Sequence, residues 1–181
     1  MVYILLADGF ETAEALCPCD MLRRANVPVQ LVGVNGPTAC SGQKVTVQTD
    51  ITLDEVSFDE MEMLMLPGGL VGVDNILASD AAMDLICKAA AAGKYVAAIC
   101  AAPTILGKLG LLEGKRAVCY PGMEGGLTGA QPCVGESVVV DGNIVTGEAA
   151  GSSITFGLKL VELLRGAEAE QKVHQGIHYH G

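Results

Sequence analysis

The chain reads as an α/β protein, a three-layer α/β/α sandwich around a mostly parallel sheet. Two observations predict this. Short uninterrupted apolar runs alternate with helically spaced segments, the pattern of strands covered by helices on both faces. The 181 residues, 50% of them hydrophobic, are enough to bury one substantial core, so residues 1–181 are expected to form a single domain.

The elements follow in order. VYILLA (2–7) is short, apolar and stopped by Asp8-Gly9, as a buried strand is, and ETAEALCPCDMLRRAN then carries helical spacing despite Pro18. VPVQLVGV (27–34) predicts a second strand, QKVTVQTD (43–50) is rich in β-branched residues, and EMLMLPGG (62–69) is an apolar run closed by Pro-Gly-Gly. SDAAMDLICKAAAA (79–92) has an N-cap serine, an acid in its first turn and a terminating Gly93, and it hands over to the strand YVAAI. RAVCY predicts another strand. SVVVDGNIVTG holds two β runs joined by Asp141-Gly142-Asn143, a hairpin signal. The last helices are SSITFGLKLVELLRG and EAEQKVHQ.

Composition excludes several classes of function. Eleven Lys and Arg against 21 Asp and Glu give a formal charge of -10, and no basic run is present to track a phosphate backbone, so nucleic acid is not an expected partner. The start MVYILLADGF lacks a basic region and breaks at Asp8, unlike a signal peptide, and the least charged window, 95–107, contains Pro103 and is too short for a membrane span. A cytoplasmic protein without membrane partner is expected. Seven scattered cysteines, an odd number, suggest reduced thiols. Cys17-Pro18-Cys19 is C-x-C, unanswered by a second pair, so no zinc site is expected. All three histidines fall within the last eight residues. The i,i+4 pair His174 and His178 is interrupted by Gly176 and lacks a third ligand; a frayed polar terminus is expected, with a tail folded over the crevice as the alternative.

In a parallel sheet ligands sit at the carboxyl ends of strands, and three such ends carry candidate chemistry. At the end of YVAAI, Cys100 is flanked two positions away by Ala98 and Ala102, the small neighbours a nucleophile elbow needs. A helix beginning there is expected to lower the thiol pKa, and the Ala101 N–H to face a developing oxyanion. The alternative is a core cysteine acting as a small hydrophobe, which is the expectation for the other six. In LPGGLVG, Gly68 and Gly69 allow a close backbone approach and an N–H aimed at substrate; a simple turn is the alternative. In LADGFETAEA, Glu11 and Glu14 are the carboxylates able to lean over the same crevice, although acids in a first helical turn are commonly surface groups.

Together ILLADGFETAEALCPCDMLRRA, LMLPGGLVGVDNI, VAAICAAPTIL and GEAAGSSITFGLKLVELL resemble the ThiJ/PfpI superfamily, in its branch of parkinsonism-associated (DJ-one-like) deglycases. The resemblance runs through nearly the whole chain in unbroken order. It implies a flavodoxin-like fold, no cofactor, and a homodimer to which the first helix contributes. It places the reactive cysteine at Cys100, the partner glutamate at Glu14 rather than Glu11, and the backbone donors at Gly69 and Ala101. It also implies that the glutamate is protonated and hydrogen-bonded to the sulfur, which suits a carboxyl in a poorly solvated crevice. The chain departs from the pattern at Tyr120, where many members have a histidine. A phenol is a poor base at neutral pH, so proteolysis is not expected, and Tyr120 either donates a hydrogen bond to a carbonyl or lines the pocket.

Two functions follow. One is a cysteine-dependent, cofactor-independent glyoxalase or deglycase-like activity on small dicarbonyls such as methylglyoxal. The other is an oxidative-stress sensor or chaperone in which Cys100 is oxidised to sulfinate.

Overall fold

The computed structural model describes residues 1–180; Gly181, the last residue of the expected domain, lies outside the described residues. The strands are β1 (Val2–Leu6), β2 (Val29–Gly33), β3 (Thr38–Cys40), β4 (Thr46–Gln48), β5 (Ile51–Thr52), β6 (Met63–Leu66), β7 (Tyr95–Ile99), β8 (Arg116–Ala117), β9 (Gln131–Pro132), β10 (Val138–Asp141) and β11 (Ile144–Gly147). The helices are α1 (Thr12–Arg24), α2 (Leu70–Leu77), α3 (Asp80–Ala91), α4 (Pro103–Lys108), α5 (Ser153–Arg165) and α6 (Ala167–Gly176).

Seven strands form one sheet in the order β10-β11-β7-β6-β1-β2-β5. Every neighbouring pair is parallel except the β10/β11 hairpin. The alternation of side chains along each strand divides the core in two. From β1, Tyr3 and Leu5 point to the side of α2, α3 and α4, where they join Val73, Ile76, Ile86 and Ile105. Val2, Ile4 and Leu6 point the other way, joining Ala15 and Leu22 of α1 and Phe156 and Leu160 of α5. Burial on both faces is why these strands read as continuous apolar runs. The three-layer sandwich with a mostly parallel sheet is the architecture the sequence predicts.

Several local expectations are corrected. QKVTVQTD contributes only Thr46–Gln48, paired with β3 in a separate antiparallel hairpin, while Ile51–Thr52 forms the sheet edge. RAVCY contributes only Arg116–Ala117, in a two-stranded pair with β9. Its continuation leaves the ladder because Val118 N–H donates to Thr146 Oγ1 at 3.0 Å and Tyr120 N–H to the Cys100 carbonyl at 2.8 Å. The Pro-Gly-Gly stretch leads straight into α2, a helix the sequence reading lacks: it is short, and its N-cap Gly69 has no side chain to signal a start. The tail as far as Tyr179 is anchored rather than frayed. α6 runs through Gly176, and the Tyr179 hydroxyl lies 2.8 Å from Thr155 Oγ1.

Pro18 does not break α1, and Gly157 of α5 packs against its backbone. A Cβ on Gly157 would stand 2.8 Å from Pro18 Cα and 2.9 Å from Met21 Cγ. Gly157→Ala is therefore expected to lower stability by about 1–3 kcal/mol. Gly151→Ala, at a position with nothing within 4 Å, should leave the thermal midpoint nearly unchanged. Calorimetric melting of the two variants beside the parent checks this.

Candidate active site

β7, β6 and β1 are neighbours at the centre of the sheet, and their carboxyl ends lead into the three stretches singled out in the sequence. Glycine lets the loops close on one another. A Cβ on Gly9 would lie 2.5 Å from the Val71 Cβ, one on Gly72 would lie 2.8 Å from the Phe10 nitrogen, and one on Gly69 would be 2.9 Å from the Glu11 nitrogen. Gly69 also holds φ at 89°, in the left-handed region that glycine occupies at low cost. Glu11 N–H donates to the Gly68 carbonyl at 3.0 Å, tying the β1 and β6 loops together.

The two acids take different roles. Glu11 is the N-cap of α1, its Oε2 accepting from the Glu14 N–H at 2.8 Å. Glu14, in the first turn, turns inward and is only 1% exposed. Its Oε2 accepts from the Gly68 N–H at 2.9 Å, while Oε1 makes no well-directed hydrogen bond. A Cβ on Gly68 would sit 2.5 Å from Glu14 Oε2 and 2.8 Å from Cys100 Cβ, so the missing side chain is the space in which carboxyl and cysteine meet. Burial is the main reason the Glu14 pKa rises to about 7; the nearby Glu11 charge adds to it, and the Cys100 and Gly68 hydrogen bonds oppose it.

Cys100 is the elbow. Its φ of 65° is the left-handed conformation, rare for a residue with a Cβ. Surrounding bonds hold it there: its N–H donates to the Gly147 carbonyl at 3.0 Å, its carbonyl accepts from Tyr120 N–H, and Ala102 N–H donates to the Ile99 carbonyl at 3.1 Å. The side chain is half-buried, and the backbone N–H groups of Ala101 and Gly69 lie near enough to the sulfur to favour its thiolate. The expected lowering of the thiol pKa is overturned. Burial first, then the charge and hydrogen bond of Glu14, push it up to about 12 against the two backbone donors. α4 spans only Pro103–Lys108 and has no side-chain cap bond, so it supplies little field to offset a neighbouring anion.

Cys100, Glu14, Gly69 and Ala101 thus converge. Gly68 is adjacent too, but its N–H is spent on Glu14 and is not free for a substrate. Tyr120 reaches the elbow through its backbone, and its side chain is 49% exposed. No histidine is among the groups shifting Glu14 or Cys100; the tail packs beside Leu16, Cys17 and Ile154 instead. Sequence reasoning missed the Glu11 cap, although an acid three residues before Glu14 was its signal. It also missed the Gly147 carbonyl, for which no local signal exists.

A cysteine forced into a left-handed turn at the end of a parallel strand, touching a buried carboxyl from the first helix, defines a class of α/β proteins with a nucleophile elbow. Within that class the DJ-1/PfpI family matches residues 1–163, and the chain belongs to it. It is 38% identical over 177 residues to protein dj-1beta of Drosophila melanogaster, covering 96% of this chain and 94% of that one. The crystal structure of Drosophila melanogaster DJ-1beta superposes with a TM-score of 0.95 at 35% identity, covering 99% and 98% of the two chains. A protein of Pyrococcus abyssi named as a deglycase is 33% identical over 165 residues, 91% of this chain and 99% of that one.

Glu14 couples stability to pH. Its folded pKa is raised above the ordinary 4.5 to about 7, so in that interval the native state holds a proton that the unfolded chain has released, and stability falls as pH rises. Chemical denaturation of the parent should show a loss approaching about 3 kcal/mol between pH 4.5 and 7 relative to Glu14→Gln. Equal slopes for the two proteins would mean that the carboxyl ionises freely.

Proposed function

We propose that the protein is a cysteine-dependent, cofactor-independent enzyme of the glyoxalase or deglycase type, converting small 2-oxoaldehydes such as methylglyoxal into 2-hydroxy acids. The observation that carries this is the buried Glu14 carboxyl held beside Cys100, with the Ala101 and Gly69 N–H groups facing the same sulfur. The name of the Pyrococcus abyssi relative supports the deglycase side.

The pair gives the order of proton transfers. Glu14, with a pKa of about 7, is the base for a thiol whose pKa is about 12; it takes the proton as sulfur bonds to the aldehyde carbon. The aldehyde oxygen becomes an oxyanion facing Gly69 and Ala101, then receives that proton to give a hemithioacetal. The Glu14 carboxylate next removes the hydrogen from the same carbon and returns it to the neighbouring one, while the hydroxyl proton passes to the ketone oxygen. An enediol lies between the two transfers, and a thioester results. Water breaks the carbon–sulfur bond, releasing the hydroxy acid and restoring the thiol. One carbon is oxidised and its neighbour reduced, so no outside oxidant is needed. Tyr120, half exposed beside the elbow, lines the approach.

Conversion of methylglyoxal to lactate tests this. Cys100→Ala and Glu14→Gln should each reduce kcat/KM at least about 100-fold, and the parent's kcat/KM should rise through a limb centred near pH 7. Variants as fast as the parent overturn the mechanism. Negligible parental turnover, with Cys100 alone gaining two oxygens under dilute peroxide, transfers the site to the sensor reading.

The homodimer implied by the resemblance is part of the same proposal. Support comes from the face on which Leu16 and Cys17 of α1, Ile154 of α5 and Ile177 border a cavity of about 610 Å³. Light scattering after size exclusion should give about twice 18.6 kDa, and Leu16→Glu should return the mass to that of one chain.

A further inference from the structure

Gly69 faces Cys100 on one side and on the other borders a cavity of about 510 Å³. The β1–α1 loop, residues 8–11, lines it together with Gln43 and Lys44 at the tip of the β3/β4 hairpin. Cys40, Ser41 and Gly42 complete the hairpin side, and the α2 side is apolar: Leu70 and Val71, its first two residues, are 66% and 61% exposed and both border the cavity. α2 buries its other face through Val73 and Ile76, so the outward leucine and valine contribute nothing to the core. Isolated exposed apolar residues need no explanation. Two of them walling a hollow that begins at an oxyanion donor do, because that wall is where the rest of a substrate would lie.

The direction follows from the chemistry. With the aldehyde carbon on Cys100 and its oxygen against Gly69 and Ala101, the ketone carbon and its substituent extend away from the sulfur. Past Gly69 the next residue is Leu70. A methyl group offers this wall little apolar area to bury, whereas an aryl or branched alkyl group offers much more.

We propose that this cavity selects 2-oxoaldehydes with a bulky apolar substituent over methylglyoxal, with Leu70 and Val71 as the specificity-determining residues. This rests on the roles given above to Cys100 and Glu14. The bonds made and broken are those already described, and the substituent is a spectator.

The test compares phenylglyoxal with methylglyoxal in initial-rate kinetics on the full chain. Independently of turnover, it compares mandelate with lactate for protection against thermal unfolding, read as the shift in calorimetric midpoint. The parent is expected to show a KM at least about tenfold lower for phenylglyoxal and stronger protection by mandelate. Leu70→Asn should bring both ratios to within about threefold of unity, whereas Val134→Asn, at a 75% exposed valine outside this cavity, should preserve them. Turnover of both aldehydes without preference overturns the cavity proposal and leaves the enzyme reading standing. Selective, Leu70-dependent protection by mandelate without turnover of either aldehyde does the reverse. Absence of both effects overturns both.

Discussion

The site depends on one hydrogen bond in a space with no room for a methyl group. Glu14 is almost wholly withdrawn from water, and the Gly68 N–H is the one well-aligned donor it has. A buried carboxylate satisfied on one oxygen is costly, and the chain meets that cost by holding the proton to a pH near 7 rather than by supplying a cation. The Gly68 bond fixes the carboxyl against Cys100, and it exists because glycine stands at a point where a side chain would collide with both Glu14 and Cys100.

The fold makes this contact rigid. Parallel order brings the ends of β1, β6 and β7 side by side, and each strand is buried on both faces, so none of the three ends moves without disturbing the core. The left-handed conformation at Cys100 costs on the order of 1–3 kcal/mol. It persists because Gly147 of β11 and Tyr120 bond the Cys100 backbone at its N–H and its carbonyl. Glu11 performs the same service for α1: by capping the helix it fixes the first turn, and with it the direction in which Glu14 points.

Much of this was legible in the residues. Strand cores, the capped helix after Ser79, the Asp-Gly-Asn hairpin and the alanines flanking Cys100 are local signals, and local signals survive folding. Bonds between distant segments were not legible. Nothing in RAVCY says that its amides will go to Thr146 and Cys100 instead of a ladder, and nothing in LPGG says that one glycine serves Glu14 while the next faces the sulfur. The sign of the Cys100 shift failed for the same reason. A helix start is visible in sequence, whereas the burial of the sulfur together with a carboxyl beside it is not, and burial first, then that neighbour, outweighs the backbone donors.

That reversal bears on what the pair can attack. A thiol kept protonated by burial and by an adjacent carboxylate is a weak nucleophile toward reagents that only accept electrons. Among the described residues no cation is among the groups acting on the sulfur. In the proposed mechanism the carboxylate that holds the thiol proton in place is also the base that removes it. Removal becomes favourable when negative charge has somewhere to go, and the N–H groups of Ala101 and Gly69 can pass from sulfur to a neighbouring oxygen. An electrophile that turns into an oxyanion beside the sulfur, as an aldehyde does, relieves the charge that otherwise keeps the thiol inert. Under the proposed function, selectivity for carbonyls over other electrophiles follows from the same desolvation that raises both pKa values.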